Sequence, residues 1–326
     1  MRFFDFSGKS RWRQNKLLIL AYHGISLEDE HLWNSSLFMP PDLLRRRFEL
    51  IKRHGCSVLP LDEAVERLYN RTLPQKSVVI TFDDGNYDFY RQAFPIIKEF
   101  NFPTTVYLTT FYSQYNKPVF NVAAKYLLWK AKSKILDCRA LPVGRGEQID
   151  LAIESERKRA YDLLSDHALE NEFSAEQKND LLALLCGSLQ IDYAEFCGKR
   201  IMRLMNSEEV VEIAAAGVDV QLHTHRHRTP LEERLFRREI EDNRRVIAAA
   251  AAKRATHFCY PSGEHDTRFF PWMQAENVAS ATTCETALST RETNRFLLPR
   301  LVDTSSLSEV EFEGWLTGIS HFLPQR

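Results

Sequence analysis

Several things are missing from this chain of 326 residues, and each absence narrows the reading. No stretch approaches the ~20 consecutive apolar residues of a membrane span. The first apolar run, 17–22, is shorter than the roughly 7–15 residues of a signal-peptide core and reads better as a strand. These two absences set the expectation of a cytoplasmic protein with no membrane span. The six cysteines (Cys56, Cys138, Cys186, Cys197, Cys259 and Cys284) form no Cys-x-x-Cys pair and no zinc-finger spacing, so they are expected to be free, mostly buried thiols in a reducing compartment. A net charge of −1 leaves no global field to recruit nucleic acid or an anionic membrane. The basic residues Arg2, Lys9, Arg11, Arg13 and Lys16 make only a short solvated arm. Repeats and low-complexity linkers are also absent, and nothing in the sequence fixes an oligomeric state.

What is present is an ordinary globular composition, 44% hydrophobic and 27% charged, enough to bury a sizeable core. Residues 1–15 are expected as a polar N-terminal arm. From 16 onward, short β-branched or apolar runs alternate with amphipathic stretches: strands at 16–22, 58–59, 78–82 and 104–108, and helices at 42–54, 61–68 and 87–100. Such alternation predicts a parallel sheet with crossover helices. The rhythm stops between 111 and 205, where helical patterns at 122–134, 151–168 and 176–189 predict a helical insertion. It resumes with a helix at 208–216, a strand at 218–222, a long charged helix at 231–252, and strands at 256–260 and 278–283. An extended stretch at 296–298 and a closing helix at 307–322 end the chain. The expected fold is α/β, a (β/α) barrel-like domain formed by 16–110 and 206–326 and interrupted by the 111–205 insertion.

In parallel sheets, functional groups collect at the carboxyl ends of strands. Three candidate groups fall there. Ser77-Val78-Val79-Ile80-Thr81-Phe82-Asp83-Asp84-Gly85 is a buried strand ending in two adjacent carboxylates. Side by side near a core they repel unless a cation, a proton or hydrogen bonds relieve them. A metal bound by one acid would do so and leave the other free as a base; the plainer alternative is a helix cap. Tyr22-His23-Gly24 delivers a histidine at the end of the first strand. His223-Thr224-His225-Arg226-His227 places three of the chain's ten histidines within five residues, and imidazole is the commonest nitrogen ligand of zinc. In a tight turn His223 and His227 converge and His225 points away, the arrangement favoured here; in an extended segment all three share a face.

Together these residues carry a resemblance. Thr81-Phe82-Asp83-Asp84-Gly85 followed by His223-Thr224-x-x-His227 resembles the first two motifs of the NodB-type polysaccharide deacetylases, carbohydrate esterase family four. Phe258-Cys259-Tyr260-Pro261-Ser262-Gly263 is similar to the third, and Tyr22-His23 resembles the branch that deacetylates poly-N-acetylglucosamine, in which an early histidine does the work of a late one. The resemblance covers roughly 16–110 and 206–301. It implies a barrel-like NodB homology domain and hydrolysis of an N-acetyl or other N-acyl group from an amino sugar. Asp84, His223 and His227 would hold one divalent metal, most simply Zn2+. Asp83 would be the general base for the attacking water and His23 the general acid for the leaving amine. Tyr260, Pro261 and Ser262 would line the substrate, with a backbone N–H near Ser262 facing the oxyanion. The chain departs from the family twice: Cys259 stands where an arginine is common and Ser262 where an aromatic residue is common. Arg300 is the candidate to steady Asp83 in the arginine's place. His321 is the alternative acid, and Tyr260 is either core or a sugar-stacking ring. With no leader evident, the expected partner is an amino-sugar-containing glycan or its cytoplasmic precursor. The alternatives are a non-catalytic glycan-binding module and another metal-dependent amidohydrolase built on His225-x-His227.

Overall fold

A computed structural model describes residues 13–144 and 146–322, the side chains of His321 and Phe322 excepted. The expected arm at 1–15 therefore lies mostly outside the described residues. Arg13 is a correction to it: rather than solvated, its guanidinium is buried and donates to the Ser77 carbonyl at 3.0 Å. Contacts divide the chain into two compact units, Met1–Gln114 with Met205–Arg326, and Tyr115–Leu204.

The first unit is built on one parallel sheet. Its strands are β1 (Leu18–Tyr22), β2 (Ser57–Val58), β3 (Ser77–Phe82), β4 (Thr104–Leu108), β5 (Asp219–Leu222), β6 (His257–Cys259), β7 (Ser280–Thr282) and β8 (Leu301–Val302). The spatial order is β7-β6-β5-β4-β3-β1-β8, with β2 paired to the start of β3. Leu298, just before β8, bridges Thr282 in parallel while Leu301 pairs with Leu20, so the segment 298–302 bonds to both ends of the path. The sheet thereby curls into the (β/α) barrel-like form expected from the sequence.

Strand alternation decides what faces where. Leu17, Ile19, Val79, Tyr107, Cys259 and Leu298 pack together inside the curl, plugged at one end by Leu61, Ala64 and Leu68 of the helix Leu61–Asn70. The intervening residues, Leu18, Leu20, Val78, Ile80, Val106, Leu222 and Phe258 among them, form a larger outer core against the helices. A side chain in phase with Ile19, Val79 or Cys259 is therefore carried into the barrel mouth, and one out of phase is carried under the helices.

Two expected helices differ from the pattern. The stretch 87–100 begins as a π-helical turn, Phe89–Ala93, before the α-helix Phe94–Phe100. Pro95 has no N–H to give the carbonyl four residues back, and the Phe94 N–H reaches Phe89 instead. The closing helix runs only over Glu309–Thr317, because Gly318 takes a left-handed φ of 86° and starts a separate 3-10 turn.

The second unit packs the helices Phe120–Lys130, Glu154–Glu170, Ala175–Ser188 and Tyr193–Gly198. It also holds an antiparallel pair, Ile135–Asp137 with Gln148–Asp150, too short to show as alternation in the sequence. Among the described residues no helix is long and apolar enough to cross a membrane.

Candidate active site

The alternation of each strand delivers its last inward side chain to the same mouth. His23 follows β1, Asp83 follows β3, His223 follows β5, and Cys259 ends β6. Asp84 would be carried outward, but it takes a left-handed φ of 67° and is followed by Gly85 at 80°. That reversal turns Asp84 back towards the histidines. A Cβ on Gly85 would sit 2.2 Å from Leu108 Cδ1, so only glycine fits there.

The two carboxylates have different surroundings. Asp83 is buried, and Arg300 grips it with both terminal nitrogens, Nη1 to Oδ1 and Nη2 to Oδ2, each at 2.7 Å. Arg300 is itself wholly buried, so every donor matters. Its Nε donates to the Thr283 carbonyl at 2.9 Å, Nη1 also to Thr81 Oγ1 at 3.2 Å, and Nη2 also to Cys259 Sγ at 3.1 Å. The five N–H groups of a guanidinium are thus all used. Burial would raise the Asp83 pKa; the charge and hydrogen bonds of Arg300 outweigh it and hold it at about 2. His23 Nε2 stands 3.6 Å from Asp83 Oδ2.

Asp84 faces two imidazoles instead. Its Oδ1 lies 3.3 Å from His223 Nε2 and 3.2 Å from His227 Nε2. Partial burial pushes its pKa up, and the hydrogen bonds from His223 and His227 bring it well below the usual carboxylate range. His223 is buried, which lowers its pKa, and the Asp84 hydrogen bond more than reverses that. Its Nδ1 lies 2.9 Å from the Cys259 carbonyl, which only an N–H can satisfy, so Nε2 is the nitrogen left to bind.

One donor atom each from Asp84, His223 and His227 falls within a 4.8 Å group. A second such group is Asp83, His223 and Cys259. The second is poor for a cation: Arg300 already occupies both Asp83 oxygens, and burial pushes the Cys259 thiol well above its ordinary pKa, so it stays neutral. The first group has no such competitor, and its oxygen and nitrogen donors suit a divalent ion.

The histidine segment is a tight turn, with Thr224 and His227 at left-handed φ of 61° and 55°. His225 points away: its Nδ1 meets Thr110 Oγ1 at 2.8 Å and its ring stands edge-on to Phe111. The His225-x-His227 pair required by the amidohydrolase alternative is not formed. Tyr260 is a further correction. In phase with Phe258, it is carried outward into the core against Phe269, and its hydroxyl donates to the Phe296 carbonyl at 3.0 Å, leaving no face for a sugar. Pro261 is buried, and Ser262 sits at a left-handed φ of 57° in the turn Pro261–Gly263 directly after the strand that ends in Cys259. The side chain of His321 lies outside the described residues.

Two polar residues that sequence reasoning overlooked hold the turn from behind. Glu239 and Asn243, both buried, sit on the apolar stripe of the helix Glu233–Ala250 with Phe236, Ile240 and Ile247. A carboxylate and an amide in phase with an apolar stripe are the signal that could have found them.

Comparison with known proteins agrees with this geometry. The family model described as polysaccharide deacetylase matches residues 70–131 and 177–279, just over half of the chain, including Asp83, Asp84, His223, His227 and Cys259. A poly-β-1,6-N-acetyl-D-glucosamine N-deacetylase of Escherichia coli (strain K12) is 30% identical over 93 residues, 28% of this chain and 14% of that protein. One from Staphylococcus epidermidis is 26% identical over 114 residues, 31% of this chain and 39% of that protein. The similarity thus spans well under half of each curated relative. The structure of Streptococcus pyogenes deacetylase PplD in complex with acetate superposes with a TM-score of 0.60 at 18% identity, over 95% of this chain and 99% of that one, which shows a shared fold. The family model and the barrel agree on one conclusion: the chain belongs to the polysaccharide deacetylase family.

Proposed function

We propose that this chain is a metal-dependent deacetylase that hydrolyses the N-acetyl group of an amino sugar in a glycan or glycan precursor. The observation that carries the reading is the division of labour between neighbouring acids: Asp84 meets two histidines, while Asp83, one residue earlier, is clamped by Arg300 beside His23. The named activity of the matched N-deacetylases supports the substrate class. Asp84, His223 and His227 would hold the ion, and two imidazoles with one carboxylate favour zinc. When bound, such an ion polarises an acyl carbonyl and brings the pKa of water to roughly 7.

The protein's own groups do the rest. Asp83 is ionised at neutral pH, and Arg300 fixes both its oxygens, so its remaining lone pairs point in set directions. With a pKa of about 2 it is a weak base, suited to taking a proton only from water already made acidic. An amide nitrogen cannot leave as an anion at neutral pH, so it needs a proton as the C–N bond breaks. In this reading His23, 3.6 Å from Asp83, gives it. The turn Pro261–Gly263 bounds the same mouth and would face the acyl oxygen.

The test is acetate release from β-linked N-acetylglucosamine oligomers by zinc-loaded protein, together with the variant Asp83→Asn. We expect turnover to fall by about 10²–10⁴-fold while metal content stays near one per chain. Undiminished turnover in that variant would remove Asp83 as the base. Zinc-loaded protein that leaves every N-acetylated oligomer intact would remove the substrate class.

A further inference from the structure

We infer that Asn243 and Glu239, one turn apart on the helix Glu233–Ala250, are positioning residues that hold His223 and His227 at the Asp84 carboxylate. The inference rests on reading Asp84, His223 and His227 as the metal-holding set.

Burying an amide and a carboxylate on an apolar stripe is costly unless their polar atoms are all bonded. Here those bonds converge on one turn. Asn243 Oδ1 accepts the His223 N–H at 3.0 Å. Its Nδ2 donates to the Leu108 carbonyl at 2.9 Å and to Thr110 Oγ1 at 3.0 Å, the hydroxyl that also meets His225 Nδ1. One amide thus ties the end of β4, the residue after the end of β5 and the back of the histidine turn to the same helix. Glu239 continues the hold. Its carbonyl accepts the His225 N–H at 3.1 Å, its Oε2 accepts the Arg226 N–H at 2.8 Å, and its Oε1 takes Arg228 Nε at 2.8 Å. Arg228 in turn gives its N–H to Thr224 Oγ1 at 3.1 Å.

His227 therefore sits between two residues that are both fastened to Glu239, and His223 is fastened directly to Asn243. The left-handed conformations of Thr224 and His227 need this support. Non-glycine residues keep such angles only where the surroundings over-determine them. Removing the hold lets the turn relax towards an extended form, in which the imidazoles no longer share one side of Asp84.

A residue that merely fills the core would change stability alone. The experiment therefore compares Asn243→Leu, Glu239→Ala and Glu239→Gln in the full chain with two readouts. One is the affinity for Zn2+ by calorimetry. The other is the set of histidine ring signals of metal-free, 15N-histidine-labelled protein. For Asn243→Leu and Glu239→Ala we expect Zn2+ to bind about 10–100-fold more weakly, the range for losing a partner behind a ligand. Glu239→Gln, which keeps the shape and an acceptor for the Arg226 N–H, should recover most of the affinity. Without metal, the His223 and His227 rings should shift while His257, in β6 and bonded to Ser280, stays put. Unchanged affinity with unchanged His223 and His227 rings, whatever happens to the melting temperature, would overturn the inference. If the wild type takes up no divalent ion, the metal reading fails, and the metal-free ring signals alone decide whether the positioning holds. Should Asn243→Leu not fold, the two Glu239 variants decide the matter.

Discussion

The two ends of the barrel each bury a histidine in a polar network, yet they are built for different ends. At the carboxyl ends of the strands, His223 has one nitrogen tied to a carbonyl and the other aimed at Asp84, alongside His227. At the amino ends, His257 Nδ1 lies 2.8 Å from Ser280 Oγ, and Gln221 accepts the N–H groups of Thr256 and His257 at 2.8 Å each. Around it Lys253 bridges Asp62 at 2.8 Å and Asp219 at 3.5 Å, while Gln221 also donates to Asp219 at 2.9 Å. Carboxylates are present at both ends. At the lower end a lysine neutralises them and the histidine is sealed against a hydroxyl; among the described residues both candidate metal-donor groups lie at the upper end. Burial of a histidine does not mark a site. Leaving its second nitrogen facing an acid that no cationic side chain has claimed does.

The sharpest way to break this comparison is to remove the buried cation that clamps Asp83 at the upper end. Arg300→Met leaves Asp83 buried without its arginine clamp, a loss of about 3–5 kcal/mol. Turnover should fall with it, because the carboxylate is no longer fixed, whereas zinc content should persist, since Arg300 touches none of Asp84, His223 and His227. Denaturant titration beside metal analysis reads both. A variant as stable as the wild type would show that the clamp is not the structural anchor it looks to be.

A smaller effect separates the ends by function. His227 is half-exposed, with 34% of its side chain accessible, so His227→Ala should leave the melting temperature of the metal-free protein nearly unchanged while zinc binding is lost. His257→Ala should do the reverse, costing about 1–3 kcal/mol for the cavity and the stranded Ser280 hydroxyl with zinc retained. Zinc loss on His257→Ala would mean that the two networks are coupled through the strands.

Much of this division was legible in the sequence, but unevenly. The strand runs and the alternation with helices place His23, Asp83 and His223 at strand ends directly, and strand phase would also have told Tyr260 from its neighbours had it been applied beyond β3. The tight turn of the histidine segment was favoured from the sequence, but its left-handed angles at Thr224 and His227 were not legible, with no glycine to announce them. The Arg300–Asp83 clamp was expected only through the family resemblance, because it joins residues 217 positions apart, a separation over which composition and periodicity carry no information. Asn243 and Glu239 were missed because the long charged helix was placed without resolving its faces, and its period puts these two polar residues on the buried stripe.

The finest distinction between the ends is the pH at which each gives up its stability. Asp83 has a folded pKa of about 2, below its unfolded value near 3.9. The folded state therefore binds fewer protons between those values. Its contribution, about 2–3 kcal/mol, is present above pH 4 and lost as pH falls towards 2. His257 is a base whose pKa is lowered, chiefly by burial, with Asp219 and Asp62 opposing the shift and Lys253 adding to it. There too the unfolded chain binds the proton more readily, so the contribution is present above the unfolded pKa near 6.5 and declines as pH falls below it. Urea titrations of metal-free protein from pH 8 to pH 3 resolve the two windows as differences between wild type and variant, in which the other histidines cancel. The gap to His257→Asn should begin to narrow just below pH 6.5, whereas the gap to Asp83→Asn should hold steady until about pH 4. A gap to His257→Asn that stays flat between pH 7 and 5 would mean that His257 is not held neutral by its sealed position, and the contrast with His223 would then have to rest on ligand geometry alone.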